Sequence, residues 1–349
     1  MAIINKPTAY FQTTLYSGTG SSQSITNTGN SDLQPDWVWV KSRSTAVDHE
    51  LFDSVRGTGV ALISNGNYAE STGRGVNSFD SDGFSLVHAQ GATNTSGRTY
   101  AAWQWKAGTS FTNDASGTGI GSIDSAGSVN TTSGFSIISY TGTGSVGTVA
   151  HGLGAVPKMI LFKNRSRASN WIVYHEALGN TKNLYLDATN AEHDRSDTFN
   201  DTSPTSSVFT VGTADLNINT ESIIAYCFAE KQGYSKISSY VGNGNADGPF
   251  IYTGFKPAYV MIKRTDAANN WMVWDNKRIG YNVDNNELYP NETAAEGDDD
   301  RIDLLSNGFK WRSGGATNNA SGSVFIYMAF AEQPFVSNTA SGSVPVTAR

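Results

Sequence analysis

The sequence predicts an all-β protein made of three tandem antiparallel β-sandwich modules of about 100 residues each, jelly-roll- or lectin-like in character. Three observations lead to this expectation. The composition is that of strands joined by turns: charged residues make up 16% of the 349 residues, glycine contributes 36, and Leu, Lys and Glu are not set out at helical spacing. Short period-two apolar runs recur, separated by Gly-, Ser- and Asn-containing turns. Above all, the chain matches itself three times.

The elements of the repeat come in a fixed order. Each copy opens with a G-x-G turn: "LYSGTG" from Leu15, "SYTGTG" from Ser139 and "SYVGNG" from Ser239. No helix is predicted after these turns, which argues against a phosphate cradle. Next comes a proline followed by a strand. "QPDWVWVKSRS" returns as "VPKMILFKNRS" and "KPAYVMIKRTD", with Pro35, Pro157 and Pro257 each six residues before Lys41, Lys163 and Lys263. A proline at a strand start sacrifices no ladder hydrogen bond. Trp37 and Trp39 must point to one side of their strand and Val38 and Val40 to the other. A strand that is apolar on both faces belongs in mid-sheet, with one face packed on a neighbouring module or subunit. Trp39 is the weaker core candidate of the pair, because its counterparts are aliphatic. The repeat continues through His49, Trp171 and Trp271, then Phe52, Tyr174 and Trp274, then Gly57, Gly179 and Gly280. The first and third copies share "DGF" and "NGF", ending at Phe84 and Phe309, and each copy closes on an apolar strand: "YAAWQWKAG", "IIAYCFAEKQG" and "FIYMAFAEQPF".

The expected organisation is therefore module 1 over 1–108, a Gly/Ser-rich linker over 109–133, module 2 over 134–233, module 3 over 234–335 and an extended tail over 336–349. Within the linker, "GIGSID" is a candidate edge strand.

Several residues are of types that can carry chemistry. Lysine after an apolar run ordinarily solvates a strand end, and this is the reading for Lys41, Lys163 and Lys263. The alternative is an ion pair across a module or subunit boundary, for which Arg43 and Arg165 are better shaped. Asp80, Asp82 and Gly83 match the first ligands of a calcium loop, but the downstream Glu is missing and a tight hairpin turn is preferred. Glu296, Asp298, Asp299 and Asp300 read as a solvated acidic loop. The five histidines (His49, His88, His151, His175 and His193) have no metal-binding spacing, and His175 and its neighbour Glu176 should face opposite ways. Cys227, the only cysteine, lies in an apolar run and reads as an inert buried thiol. No catalytic, cofactor or metal residues are assigned, and the expectation is a protein without enzymatic activity. Tyr185, Tyr281 and Tyr289 are the aromatic loop residues to inspect for ligand contact.

Partners are constrained by charge. A formal net charge of −7 offers no basic surface for nucleic acid. No run approaches the ~18 apolar residues of a membrane span. "MAIINKPTAYF" lacks the basic start and apolar stretch of a signal peptide, so synthesis and folding in a cytoplasm are expected.

The stretches "KPTAYFQTTLYSGTG", "LQPDWVWVKSRS", "HELFDSVRG", "SFDSDGF" and "YAAWQWKAG" resemble virion structural, tail-fibre-like proteins of bacteriophages of marine bacteria and cyanobacteria. The resemblance is clearest in the first copy. It implies a virion component assembled in the host cytoplasm, in contact with other virion proteins. It also implies a homo-oligomer, with a trimer as first candidate, and host surface glycan as a candidate ligand. Three functions follow: a tail fibre or tail-associated structural protein with a role in host attachment, a capsid decoration protein, and a carbohydrate-binding module or polysaccharide depolymerase.

Overall fold

The computed structural model describes residues 3–88, 90–278, 282, 286–339 and 342–345. The chain is nearly all β, as expected, and its strands pair antiparallel in several sheets. One four-strand order occurs three times. In the first copy Phe11–Ser17 pairs with Thr99–Trp105, which pairs with Trp37–Ser42, which pairs with Glu50–Asp53. The second copy repeats this with Phe135–Thr141, Ser222–Phe228, Met159–Asn164 and Ile172–His175. The third does so with Ser235–Val241, Val324–Pro334, Phe255–Arg264 and Met272–Asp275. The proline strand and the closing strand are thus the two central strands each time. Pro35 and Pro157 precede their strands; Pro257 lies inside its strand, at a register shift where the ladder tolerates the missing N–H.

Strand alternation assigns the two faces. Trp37, Trp39, Trp103 and Trp105 point one way, as do Met159, Leu161, Tyr226 and Phe228, and Tyr259, Met261, Met328 and Phe330. All twelve belong to one continuous core that draws on the three copies together. Residues of opposite parity enter three separate cores. Val38 and Val40 meet Ile25 and Phe84 from the sheet formed by Gln23–Thr26, Gly83–Leu86 and Val76–Asp80. Ile160 and Phe162 meet Val149 and Phe209, from the paired strands Gly147–Ala150 and Val208–Val211. Val260 and Ile262 meet Ile251 and Phe309, from Phe250–Tyr252, Gly308–Trp311 and Ile302–Leu305. Each large sheet therefore has a small sheet on one side and the shared core on the other.

Trp39 is fully buried, and its indole N–H donates to His49 Nδ1 at 2.9 Å. It is as much a core residue as Trp37, because the aliphatic counterparts Leu161 and Met261 occupy the same shared core.

The segment 109–133 is not a free linker. Thr109–Asn113 and Ser125–Asn130 pair with each other, and the latter pairs with Phe135–Thr141, so the second copy's sheet grows to eight strands. Small, polar Ser, Thr and Gly side chains, which suit a linker, also suit an edge ladder held by backbone hydrogen bonds. Ile123, from the predicted edge strand, forms only an isolated bridge with Val149. In the tail, Val336–Thr339 pairs with Gly342–Pro345 as a short hairpin. Residues 346–349 lie outside the described residues, as do Gly280 of the repeat and Tyr281 of the aromatic candidates.

Trp37→Ala and Trp39→Ala should each lower the unfolding free energy by ~3–5 kcal/mol, measured by urea titration. Because the largest core is common to all copies, the wild-type chain should unfold in one transition by tryptophan fluorescence and far-UV circular dichroism. Three resolved transitions would contradict a shared core.

Candidate functional site

The G-x-G turns are the first of several triplicate constructions. The tyrosine before each turn donates to a carbonyl near the closing strand: Tyr16 to Thr93 at 2.7 Å, Tyr140 to Leu216 at 2.8 Å and Tyr240 to Asn318 at 2.6 Å. The next residue along is a buried asparagine in every copy. Asn94, Asn217 and Asn319 accept at Oδ1 from the backbone N–H of Thr19, Thr143 and Asn243 at 3.0, 2.7 and 2.8 Å. Their Nδ2 groups donate to the carbonyls of Ser21, Ser145 and Asn245. The glycines follow from this lock. A Cβ on Gly18, Gly142 or Gly242 would stand 2.1–2.3 Å from a backbone oxygen, and Gly20, Gly144 and Gly244 have φ of +71° to +75°.

The three strand-end lysines were expected in solvent, and the structure corrects this: Lys41, Lys163 and Lys263 are fully buried. Each continues the parity of the shared-core residues on its strand, so its stem runs inward and its ammonium must find protein partners. Backbone carbonyls supply them, one always from another copy. Lys41 Nζ donates to Ser42 O at 3.0 Å and to Thr293 O of the third copy at 3.0 Å. Lys163 donates to Ser169 O and, at 3.1 Å, to Asn67 O of the first copy. Lys263 donates to Arg264 O at 2.7 Å and to Thr189 O of the second copy at 3.2 Å. Burial lowers all three pKa values to about 8, leaving the ammonium charged at neutral pH.

Beside each lysine, arginines clasp the same neighbours. Arg43 holds Glu296 in two places, at 2.8 and 2.9 Å, and Arg165 holds Glu70 at 2.8 and 3.0 Å. The backbones pair as well, Glu296 N with Arg43 O, Glu70 N with Arg165 O and Glu192 N with Thr265 O. In the third place Thr265 replaces the arginine, and Glu192 pairs with Lys182 of its own copy. The indoles of Trp171 and Trp271 donate to Ile63 O and Tyr185 O across the same boundaries, both at 2.8 Å. His49 stands in the equivalent position of the first copy.

On the far side of the shared core donors again reach from the second copy to the first and from the first to the third. Asp53 and Arg56 form a buried pair at 2.5 Å, and Tyr226 of the second copy donates to Asp53 at 2.7 Å. Asp275 and Arg278 form its counterpart at 2.7 Å, with Trp103 of the first copy donating to Asp275 at 2.9 Å. Burial alone would raise the Asp275 carboxyl, but Arg278 and the Trp103 indole hold it below its ordinary value. The second copy has His175 here. Its Nδ1 accepts from Ala177 N and its Nε2 lies 3.4 Å from Tyr327 O of the third copy. Burial brings its pKa down to about 4, so it is neutral in the fold.

Other candidates resolve locally. Asp80 and Asp82 belong to the hairpin in which Asp80 pairs with Gly83, Asp80 accepting from Ser78 and Ser85 and Asp82 from Leu33 N. Glu296 is not solvated; it is drawn inward by Arg43 and by Arg278 at 3.4 Å. Asp299 pairs with Arg301, and Asp298 is exposed. His151 is buried, with a pKa lowered by burial to about 4, whereas His88 is not buried and His193 is half-buried against Tyr185. Cys227 is buried and its thiol pKa is pushed up by that burial. Tyr185 and Tyr289 pack partly against their own copies' cores. Among the described residues no group of three His, Cys, Asp or Glu could hold a metal ion, and no helix is long and apolar enough to cross a membrane.

Sequence reading missed the asparagine locks and the glutamate partners. Both left a signal. The asparagines fall nine residues before Trp103, Tyr226 and Met328, and Glu70 and Glu192 both lie 29 residues after their copy's repeat lysine.

Two outcomes follow. A double-mutant cycle of Arg43→Met with Glu296→Gln should give a coupling of ~0.5–3 kcal/mol, whereas Thr265→Val with Glu192→Gln should be additive within ~0.5 kcal/mol, both by urea unfolding. The lysine linkage has a definite sign. With a folded pKa near 8 and an unfolded one near 10.5, the unfolded chain binds more protons between these pH values, so each lysine makes stability rise with pH there. Comparing wild type with Lys163→Met across pH 7–10.5 should show the wild type gaining on the variant, by up to roughly 3 kcal/mol.

Comparison with curated proteins finds no match. One family model matches, over residues 6–334, and so takes in all three copies and the segment between the first two. The chain therefore belongs to the family described as Domain of unknown function (DUF7483).

Proposed function

We propose that this chain is a non-enzymatic virion structural protein, a tail-fibre or tail-associated component with a role in host attachment. In this reading its three copies are jelly-roll- or lectin-like β-sandwich modules closed into a ring, a trimer-like unit within one chain. The observation that carries the proposal is the closed cycle of contacts. The first copy's lysine is capped by the third, the second's by the first and the third's by the second. A ring with no free end in its chain of contacts resists opening at any single joint, which suits a part exposed on a particle. The largest aromatic side chains are spent on cohesion: Trp37, Trp39, Trp103, Trp105, Trp171 and Trp271 are all buried in the shared core.

The proposal extends to partners: other virion proteins, host surface glycan and a homo-oligomer with a trimer as first candidate, without nucleic acid and without membrane insertion. The site of action is the virion, with assembly in the host cytoplasm.

Antibody labelling of intact particles tests the placement, with signal at the tail expected. Signal over the head would replace the tail reading with capsid decoration, and no signal on particles would remove the virion reading. Release of new reducing ends from host envelope polysaccharide would instead favour a depolymerase. Light scattering on the purified chain should give a mass three times that of one chain; a monomer would show that the internal ring is the whole assembly.

A further inference from the structure

The three joints between copies are built on the same positions, which the strand registers align. Phe11, Phe135 and Ser235 lie opposite Trp105, Phe228 and Phe330. Those three in turn pair with Trp37, Met159 and Tyr259. At the joint of the second and third copies, charged side chains pair across the region: Lys158 pairs with Glu176 at 3.0 Å and with Glu230 at 3.6 Å, and Glu230 pairs with Lys236 at 2.9 Å. At the joint of the first and second copies, Asp36 ties the same region, accepting from Ser54 at 2.8 Å and from Ala107 N at 2.9 Å.

At the joint of the third and first copies three of these positions carry no charge. Ala258 stands where the others have Lys158 and Asp36, Asn276 where they have Glu176 and Ser54, and Gln12 where they have Lys236 and Ser136. A cleft of about 220 Å³ results, lined by Phe11, Thr13, Ala258, Asn276 and Glu332 among others. Its wall carries an anomaly. Ile137 and Ile237, the counterparts of Thr13, are buried in the shared core. Thr13 is only 3% exposed, yet its hydroxyl has no hydrogen-bond partner, and Asn276 Oδ1 is likewise buried without one. A hydroxyl at a position that elsewhere holds isoleucine is costly unless something bonds to it.

We propose that this cleft binds a small, neutral, polyhydroxylated molecule of monosaccharide size. Asn276 Oδ1 needs a donor and the Thr13 hydroxyl can give or take one, a mixed demand that sugar hydroxyls meet. Ala258 and the edge of the buried Phe11 give the cleft an apolar side for the C–H groups of a sugar. The cleft is smaller than the ~300–1,000 Å³ pockets of drug-sized ligands. The charges in its lining are Glu332, paired with Lys256 at 2.7 Å, and Lys277, which is exposed, so no unbalanced buried charge calls for an ion. The inference rests on the glycan contact proposed above and gives it a place; a failure of sugar binding would remove this cleft, whereas the virion reading fails only if particles carry no label.

The test uses the purified full chain with D-glucose, D-galactose and N-acetyl-D-glucosamine, and sodium glucuronate as a charged control. Saturation-transfer NMR and thermal unfolding are the readouts. At least one neutral sugar should receive saturation and raise Tm, with glucuronate weaker. Thr13→Ile restores the residue of the other two copies, so it should keep or raise the ligand-free Tm while weakening sugar binding at least tenfold. Asn276→Ala, on the exposed side of the joint, should weaken binding as well. The proposal is overturned if no neutral sugar binds, leaving a cleft for water only. It is equally overturned if glucuronate binds best, or if Thr13→Ile binds as wild type does.

Discussion

The constraint on which the structure depends is that its central strands are apolar on both faces. A sheet of this kind cannot leave either face in water, and one small covering sheet satisfies only one of them. The other face must find a partner of similar size and character. Three such faces, turned toward one another, solve the problem together. Trp37, Leu161 and Tyr259 come from different copies but share one core. Burial of each large side chain there contributes ~1.5–3 kcal/mol, and no copy can claim that contribution alone.

Closing three sheets on one core creates a second problem, the polar groups carried inward at its margins. The solution is reciprocal. Each copy presents backbone carbonyls or carboxylates where its neighbour presents an ammonium, guanidinium, indole or phenol. Lys163 needs Asn67 of the first copy, and Asp53 of the first copy accepts from Tyr226 of the second. Buried charges paired in this way contribute little net stability compared with apolar replacements, but leaving one partner unmatched is costly. The expected effect is therefore on specificity: each copy is recognised by the right neighbour in the right direction. The copies have also diverged, and they have done so where partners changed together. Thr265 has no clasp to make and Glu192 has turned to Lys182; His175 replaces an aspartate and Leu178 its arginine.

Much of the fold was legible in the sequence. Period-two alternation in "WVWV", "MILF" and "YVMI" identified the doubly apolar central strands, and the DGF and NGF hairpins were correctly read as turns. The segment 109–133 was not legible as sheet, because edge ladders are held by backbone groups and leave little side-chain pattern. The burial of Lys41, Lys163 and Lys263 was not legible either. A lysine at a strand end reads the same whether its ammonium meets water or a ring of carbonyls, and those carbonyls come from loops such as that of Thr293, far away in the chain.

By itself the sequence determined the strands, the repeat and the two-faced burial of each central strand, since these depend on local alternation and on residue type. Only the tertiary structure decided that the second face is shared among all three copies, which neighbour completes each lysine and arginine, and that Thr13 meets a cleft with its hydroxyl unpartnered. Those matters depend on groups that meet across long chain separations, and no local pattern encodes where two distant segments come together.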